Sequence, residues 1–346
     1  FEGPRSVTEV ENVIGSSQGD NITGTTDANN LQGGAGNDSL NGIGGPDTLQ
    51  GGLGDDIYFI ASSAVQIIEA AGEGNDRVNT SANFTLAADD SIELLATSNI
   101  AAVTALVLKG NGFAQRIVGN AGNNQLHDGG GAGVDTLQGG LGDDTYFVNN
   151  AAALIAESTG EGNDRVNSSV SFTLAADDSI EILSTSSAAG VTAINLRGNA
   201  LAQRIIGNAG NNQLHDGGGA GVDTLQGGLG DDTYFVNNAA ALIAESTGEG
   251  NDRVNSSVSF TLAADDSIEI LSTSSAAGVT AINLRGNALA QRIIGNAGNN
   301  TIEGGEGQDT LTGSGGADIF VFKTNLGGGA NFDKITDFDP ANDLFH

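Results

Sequence analysis

The chain has 346 residues, with 43 acidic and 12 basic side chains, for a formal charge of −31. Glycine is abundant at 54 while proline is held to 3, which excludes collagen and proline-rich linkers, and the absence of cysteine excludes a disulfide framework. The acidity argues against nucleic acid and anionic membrane surfaces as partners and points to metal cations, without which self-repulsion opposes a compact state.

No apolar run reaches membrane-spanning length, so membrane insertion is not expected. Both ends, Phe1 and the closing ANDLFH, fall inside a pattern. The expectation is a piece of a larger protein.

From Gly15 the chain reads GSSQGDNIT, GTTDANNLQ, GGAGNDSLN, GIGGPDTLQ and GGLGDDIYF, five nonapeptides without a gap. The sixth place is Asp20, Asn29, Asp38, Asp47 and Asp56; the eighth is Ile22, Leu31, Leu40, Leu49 and Tyr58. AGEGNDRVN at 71–79 keeps the late glycine, the acid (Asp76) and the apolar eighth place. Segments such as SVSFTLA and VTAINLRG alternate apolar and polar residues and read as strands with one buried face, Val170, Phe172 and Leu174 pointing inward. TLAADDSIEIL is too short and acidic for an amphipathic helix.

A longer period overlies the short one. Residues 123–210 and 211–298 are identical, and 37–122 is a diverged copy. The expected organisation is one continuous solenoid: N-terminal coils at 1–36, three long units at 37–122, 123–210 and 211–298, and last coils with a cap at 299–346. The long units bring Asp135, Asp144 and Asp164, then Asp223, Asp232 and Asp252; the tail adds Asp309 and Asp318.

Glycine enters positive-φ regions at no steric cost, so each GGxGxD run predicts a turn and the next three residues a short strand. Two nonapeptides then complete one circuit, the eighth-place side chains stack into a thin apolar core, and neighbouring coils stabilise one another. Turns two nonapeptides apart lie one above another. Each offers bare backbone carbonyls and a carboxylate, and a stacked pair forms an oxygen cage suited to a hard cation such as Ca2+. By this logic Asp144 stands beside Asp164, and Asn124 beneath Asp144 gives a weaker site.

These tandem runs resemble the repeats-in-toxin, or haemolysin-type calcium-binding, family. The resemblance covers the nonapeptide blocks directly and the intervening strands by continuity. It implies a right-handed parallel β-roll that binds several Ca2+ ions between turns. Ligands would come from the sixth-place acids Asp38, Asp47, Asp56, Asp135, Asp144, Asp223, Asp232, Asp309 and Asp318, joined in the same frame by Asp20, Asp76, Asp164 and Asp252. The glycine-loop carbonyls expected to contribute are those of Gly33, Gly34, Gly36, Gly51, Gly52, Gly54, Gly139, Gly140, Gly142, Gly227, Gly228, Gly230, Gly304, Gly305 and Gly307. It also implies a monomer secreted by a Gram-negative bacterium through type I secretion machinery, folding on Ca2+ outside the cell. The tail resembles the segment that caps the roll in serralysin-type proteases, making Asp333, Asp337, Asp339 and Asp343 lesser metal candidates.

Several residues depart from the pattern. GIGGPD places Ile43 in the second position and Pro46 before Asp47, which weakens the expectation there. GNAGNN and GNALAQ replace the acid by an amide and read as metal-free turns closed by amide ladders. Asp55, Asp143 and Asp231 are expected to face solvent, as are Asp177, Asp178, Asp265 and Asp266. His127 and His215 have no catalytic partner in the sequence, and neither do Glu69, Glu157 and Glu245. Phe59, Phe147 and Phe235 should point outward. The chain therefore reads as non-catalytic. A stalk or adhesin contacting surface polysaccharide is the alternative, ahead of a lyase or epimerase on uronate polymers, which needs clustered basic residues that are missing. An ice-binding threonine ladder is also missing.

Overall fold

The structure, a computed structural model, describes residues 5–6, 11–323 and 332–346. All regular structure among them is β, in strands of two to six residues that pair in parallel with the next strand but one. None of the described residues is helical. They separate into two compact units, residues 1–168 with 177–180, and residues 169–176 with 181–346.

In the first unit, Asn12–Ile14, Asn30–Ala35, Thr48–Leu53 and Gln66–Ile68 stack into one sheet. The strands that alternate with them in sequence, such as Ser39–Asn41, Ile57–Ile60 and Arg77–Thr80, stack into the other. The chain thus coils, visiting the two sheets alternately. Register is fixed in steps of 18 where two nonapeptides make a rung (Leu40 beside Tyr58, Gly34 beside Gly52). The step rises to 20 from Tyr58 to Val78 and to 24 from Phe84 to Leu108, where the connecting turns are longer. Farther along, Phe84–Thr85, Val107–Lys109, Gln125–His127, Thr145–Val148 and Arg165–Ser168 continue the alternation.

The second unit repeats the plan. A nine-strand stack runs from Phe172–Thr173 to Lys334–Ile335, faced first by Ile182–Thr185, Arg204–Ile206, Thr224–Gln226 and Leu242–Ile243. It is then faced by the stack from Phe260–Thr261 to Leu344–Phe345. Each unit is a parallel β-solenoid.

The eighth place of the nonapeptide is the core. Leu31, Leu40, Leu49, Tyr58, Leu137, Tyr146, Leu225, Tyr234 and Leu311 are all fully buried. Because a strand alternates its side chains, the residues flanking each of these face out. Phe59 is exposed as expected, while Phe147 and Phe235 are half-covered, each stacking 4.1 Å from the imidazole of the neighbouring rung, His127 and His215. Phe172 and Leu174 are buried; Val170, in the bend before the strand Phe172–Thr173, is only half-buried.

The tail beyond 331 adds rungs to the second unit. Lys334 pairs with Thr310 and Leu344 with Ile319, and Phe338 stacks on Phe345 at 4.3 Å.

Candidate metal centres

The glycine corner is best followed at 51–56. Gly52 and Gly54 hold φ of +97° and +126°, a region costly for any side chain. Gly51 is required for a different reason: a Cβ there would lie 2.0 Å from Asp56 Oδ2. The first glycine clears space for the carboxylate and the other two bend the backbone around it. The same turn recurs at Gly33, Gly34 and Gly36, at Gly139, Gly140 and Gly142, at Gly227, Gly228 and Gly230, and at Gly304, Gly305 and Gly307. At Ile43 and Ser314 a side chain is carried into the left-handed region instead, at φ 66° and 78°.

The sixth-place acids divide their two oxygens between two tasks. Oδ1 reaches the rung before it. Asp38 accepts the Asp20 N–H at 2.7 Å, Asp56 that of Asp38 at 2.6 Å, and Asp76 that of Asp56 at 2.8 Å. Likewise Asp47 accepts from Asn29, Asp135 from Gln115, Asp144 from Asn124, Asp164 from Asp144, Asp223 from Gln203, Asp232 from Asn212, Asp252 from Asp232, Asp309 from Gln291 and Asp318 from Asn300. Carboxylates therefore run as a ladder along the corner edge, and Asp144 stands beside Asp164 as the sequence implies.

Oδ2 of Asp38, Asp47, Asp56, Asp144, Asp232 and Asp309 faces into its own corner, against the first glycine. In Asp38, Asp47, Asp56, Asp76, Asp135, Asp144, Asp223, Asp232, Asp252 and Asp309 that oxygen is buried and accepts no hydrogen bond. A buried carboxylate oxygen without a donor costs kilocalories. These corners have the donor set of a hard cation: an anionic oxygen inside a loop of bare backbone. Asp20 differs, since its Oδ2 accepts the Ser16 N–H at 2.6 Å. Asp47 keeps the buried oxygen despite Ile43 and Pro46.

Amide corners supply the contrast. In GNAGNN, Asn124 Oδ1 takes the Asn120 N–H at 2.6 Å and Asn124 Nδ2 donates to Asn120 Oδ1 at 3.1 Å. In GNALAQ, Gln203 and Asn199 do the same. The amides pair inside one loop rather than as a ladder from loop to loop. An asparagine in the second place, where the GGxGxD corners have glycine, is what closes the pair.

Other acids are satisfied by the protein. Asp128, an insert residue, accepts from the Gly130, Asn149 and Asn150 amides. Asp55, Asp143 and Asp231 face solvent as expected. Asp178 and Asp266 do not: they are 4% and 3% exposed, and Asp266 closes its turn by accepting the Ala263 N–H at 2.8 Å. Short polar side chains that cap a tight turn fold back over it, and Asp177 and Asp265 alone point outward. Among the tail acids, Asp333 and Asp343 extend the Oδ1 ladder to Asp309 and Asp318. Asp337 spends both oxygens on the Gly313 and Ser314 amides, and Asp339 caps Ala341.

Sequence reasoning set aside Glu69, Glu157 and Glu245. All three are buried, and one carboxylate oxygen of each lies within 4.8 Å of oxygens from two corner acids. The groups are Asp56, Glu69 and Asp76; Asp144, Glu157 and Asp164; and Asp232, Glu245 and Asp252. Each glutamate also accepts from a buried tyrosine hydroxyl, of Tyr58, Tyr146 or Tyr234. Burial, then neighbouring negative charge, pushes Asp56 and Asp76 up to about 6, Asp144 and Asp232 to about 7, and Glu69 and Glu157 to about 9. The signal available in the sequence was an acid standing where a corner should begin with glycine.

With this geometry in view, comparison with family models gives a direct result. The RTX calcium-binding nonapeptide repeat matches residues 14–42, 44–59, 109–146, 197–234 and 285–320. These segments are RTX calcium-binding repeats folded as a β-solenoid, and Ca2+ is the ion they imply. The match ends at residue 320, so the tail is not covered by it. Comparison with curated proteins gives no match. No helix among the described residues is long and apolar enough to cross a membrane.

Proposed function

We propose that this chain is a non-catalytic module that stays expanded where Ca2+ is scarce and folds where it is plentiful, outside a Gram-negative cell after type I secretion. The observation that carries this reading is the set of buried, donorless Oδ2 atoms in the glycine corners. With a net charge of −31, stacking acid on acid is self-repelling until that charge is neutralised. Bound Ca2+ supplies the positive charge that such corners lack and accepts the several oxygen ligands that they offer.

The chain's own residues do the rest. Glycines clear the pocket, the Oδ1 ladder aligns rung with rung, and the eighth-place side chains close the core. Extracellular-type sites bind at about 10⁻⁴–10⁻³ M. At ten times the dissociation constant one site adds about 1.4 kcal/mol, so six coupled sites add about 8 kcal/mol, comparable with a domain's whole stability.

The test is circular dichroism through a Ca2+ titration with Mg2+ as control. A cooperative coil-to-β transition at millimolar Ca2+, absent with Mg2+, is expected. A chain fully β in excess chelator would overturn the reading.

A further inference from the structure

At Gly51 a Cβ would strike the carboxylate of its own corner at 2.0 Å, and the first glycines Gly33, Gly42, Gly139, Gly227, Gly304 and Gly313 are required for the same reason. One rung farther, the register Thr48–Gln66, Leu49–Ile67, Gln50–Ile68 puts Glu69 in that place. The turn 69–76 is two residues longer than 51–56, and the wider turn admits the side chain. Glu69 is 2% exposed, its Oε2 engaged by the Tyr58 hydroxyl and its Oε1 buried without a donor. The hydroxyl in turn accepts the Gly51 N–H at 2.6 Å, so one buried oxygen is held by the backbone while its hydrogen is directed at the glutamate and restrains it. Glu245 repeats this with Tyr234, Oε1 again donorless, and Glu157 pairs with Tyr146. In all three, the glutamate and the second aspartate fall outside the segments that match the RTX repeat.

We propose that the three trios, Asp56–Glu69–Asp76, Asp144–Glu157–Asp164 and Asp232–Glu245–Asp252, form a second class of cation site, one per long unit, that takes Ca2+ ahead of the glycine corners that have no such glutamate. This rests on the reading of the chain as a Ca2+-binding module. A glycine corner offers a carboxylate and backbone oxygens; a trio brings three carboxylates to one point. For oxygen-ligand sites, affinity rises with ligand charge and rigidity. The tyrosine supplies the rigidity, since an ordered glutamate loses less rotamer freedom on binding.

The chain has 3 tyrosines and no tryptophan, so every intrinsic sensitiser sits at a trio. The probe is Tb3+, whose luminescence on tyrosine excitation requires close approach to the ring. Three ions per chain giving sensitised luminescence, displaced by Ca2+, are expected. In the triple variant E69Q/E157Q/E245Q, apparent Tb3+ affinity should fall at least about tenfold, the loss of one charged ligand being worth about 1.4 kcal/mol or more. Unchanged stoichiometry and affinity in that variant would overturn the proposal.

The wild-type chain gives a second readout. Tyrosine near-ultraviolet absorption during a Ca2+ titration should saturate before the far-ultraviolet transition is complete. A tyrosine change that trails folding, or no sensitised signal in a chain that folds with Ca2+, would overturn the proposal and leave the module intact. Failure of Ca2+ to fold the wild-type chain strikes the module reading instead, and shows in circular dichroism alone; three sensitised Tb3+ ions would still support the trios.

Discussion

Asp38 shows what one residue carries. Its Oδ1 holds the Asp20 N–H of the preceding rung while its Oδ2 waits in the corner without a donor. Asp38→Asn keeps the first role and removes the charge from the second. In saturating Ca2+ the variant should lose about 1–2 kcal/mol, the scale of one site, and in chelator lose far less; chemical denaturation under both conditions measures the difference. Equal losses in both would mean the corner oxygen has nothing to do with metal. Ile43 makes the opposite case. A β-branched residue at φ 66° is strained by about 1–2 kcal/mol, partly offset by glycine's greater unfolded-state entropy. Ile43→Gly should therefore stabilise the Ca2+-loaded chain by about 0.5–1 kcal/mol in the same assay.

At the scale of the turn, the three glycines of a corner are not interchangeable with glycines elsewhere. Gly51→Ala drives a methyl to 2.0 Å from Asp56 Oδ2 and 2.5 Å from the Tyr58 hydroxyl, and should cost about 2–3 kcal/mol, as overpacking does. Gly72→Ala meets nothing within 4 Å and suffers only its φ of +87°, so about 1 kcal/mol is expected. A reversal of that order would contradict the assigned role of the first glycine. The turns also show how much was legible. Spacing of glycine, acid and apolar residue was enough to place Asp38, Asp56, Asp144 and Asp232 at stacked corners and Leu31, Leu40 and Leu49 in the core. It missed Glu69, Glu157 and Glu245 because there the period slips by two residues and the acid replaces the glycine that marks a corner. It also left Asp178 and Asp266 in solvent, since a capping side chain folding over its turn leaves no periodic trace. The amide corners needed the pairing of second place with sixth, Asn120 with Asn124, which reading one place at a time does not reveal.

Across the whole molecule, the carboxyls raised by burial link folding to protons as well as to Ca2+. Asp56 and Asp76 stand near 6, Asp144 near 7 and Glu69 near 9, against unfolded values near 4. A folded-state value above the unfolded one means the metal-free fold binds protons more tightly than the coil. Its stability from these groups is full below about pH 4 and drains away as pH climbs through about 6 to 9. Metal-depleted chain should therefore gain β structure on acidification from pH 8 to 5, and Ca2+ uptake at pH 7 should release protons, read in a pH-stat. Proton uptake on Ca2+ binding would refute the coupling.

Modularity gives a further test. Residues 123–210 duplicate 211–298, so their deletion presents residue 122 with the same neighbours, and nearest-neighbour stacking predicts a folded chain. Circular dichroism in Ca2+ should show it β-rich, and collapse to coil would mean the rungs are not independent.

The most direct measurement is anomalous diffraction from crystals grown in Ca2+. Calcium peaks within about 2.3–2.6 Å of the inward oxygens of Asp38, Asp56, Asp144, Asp232 and Asp309 are predicted. Peaks confined to the exposed acids, with these oxygens bonded only to protein or water, would contradict the account.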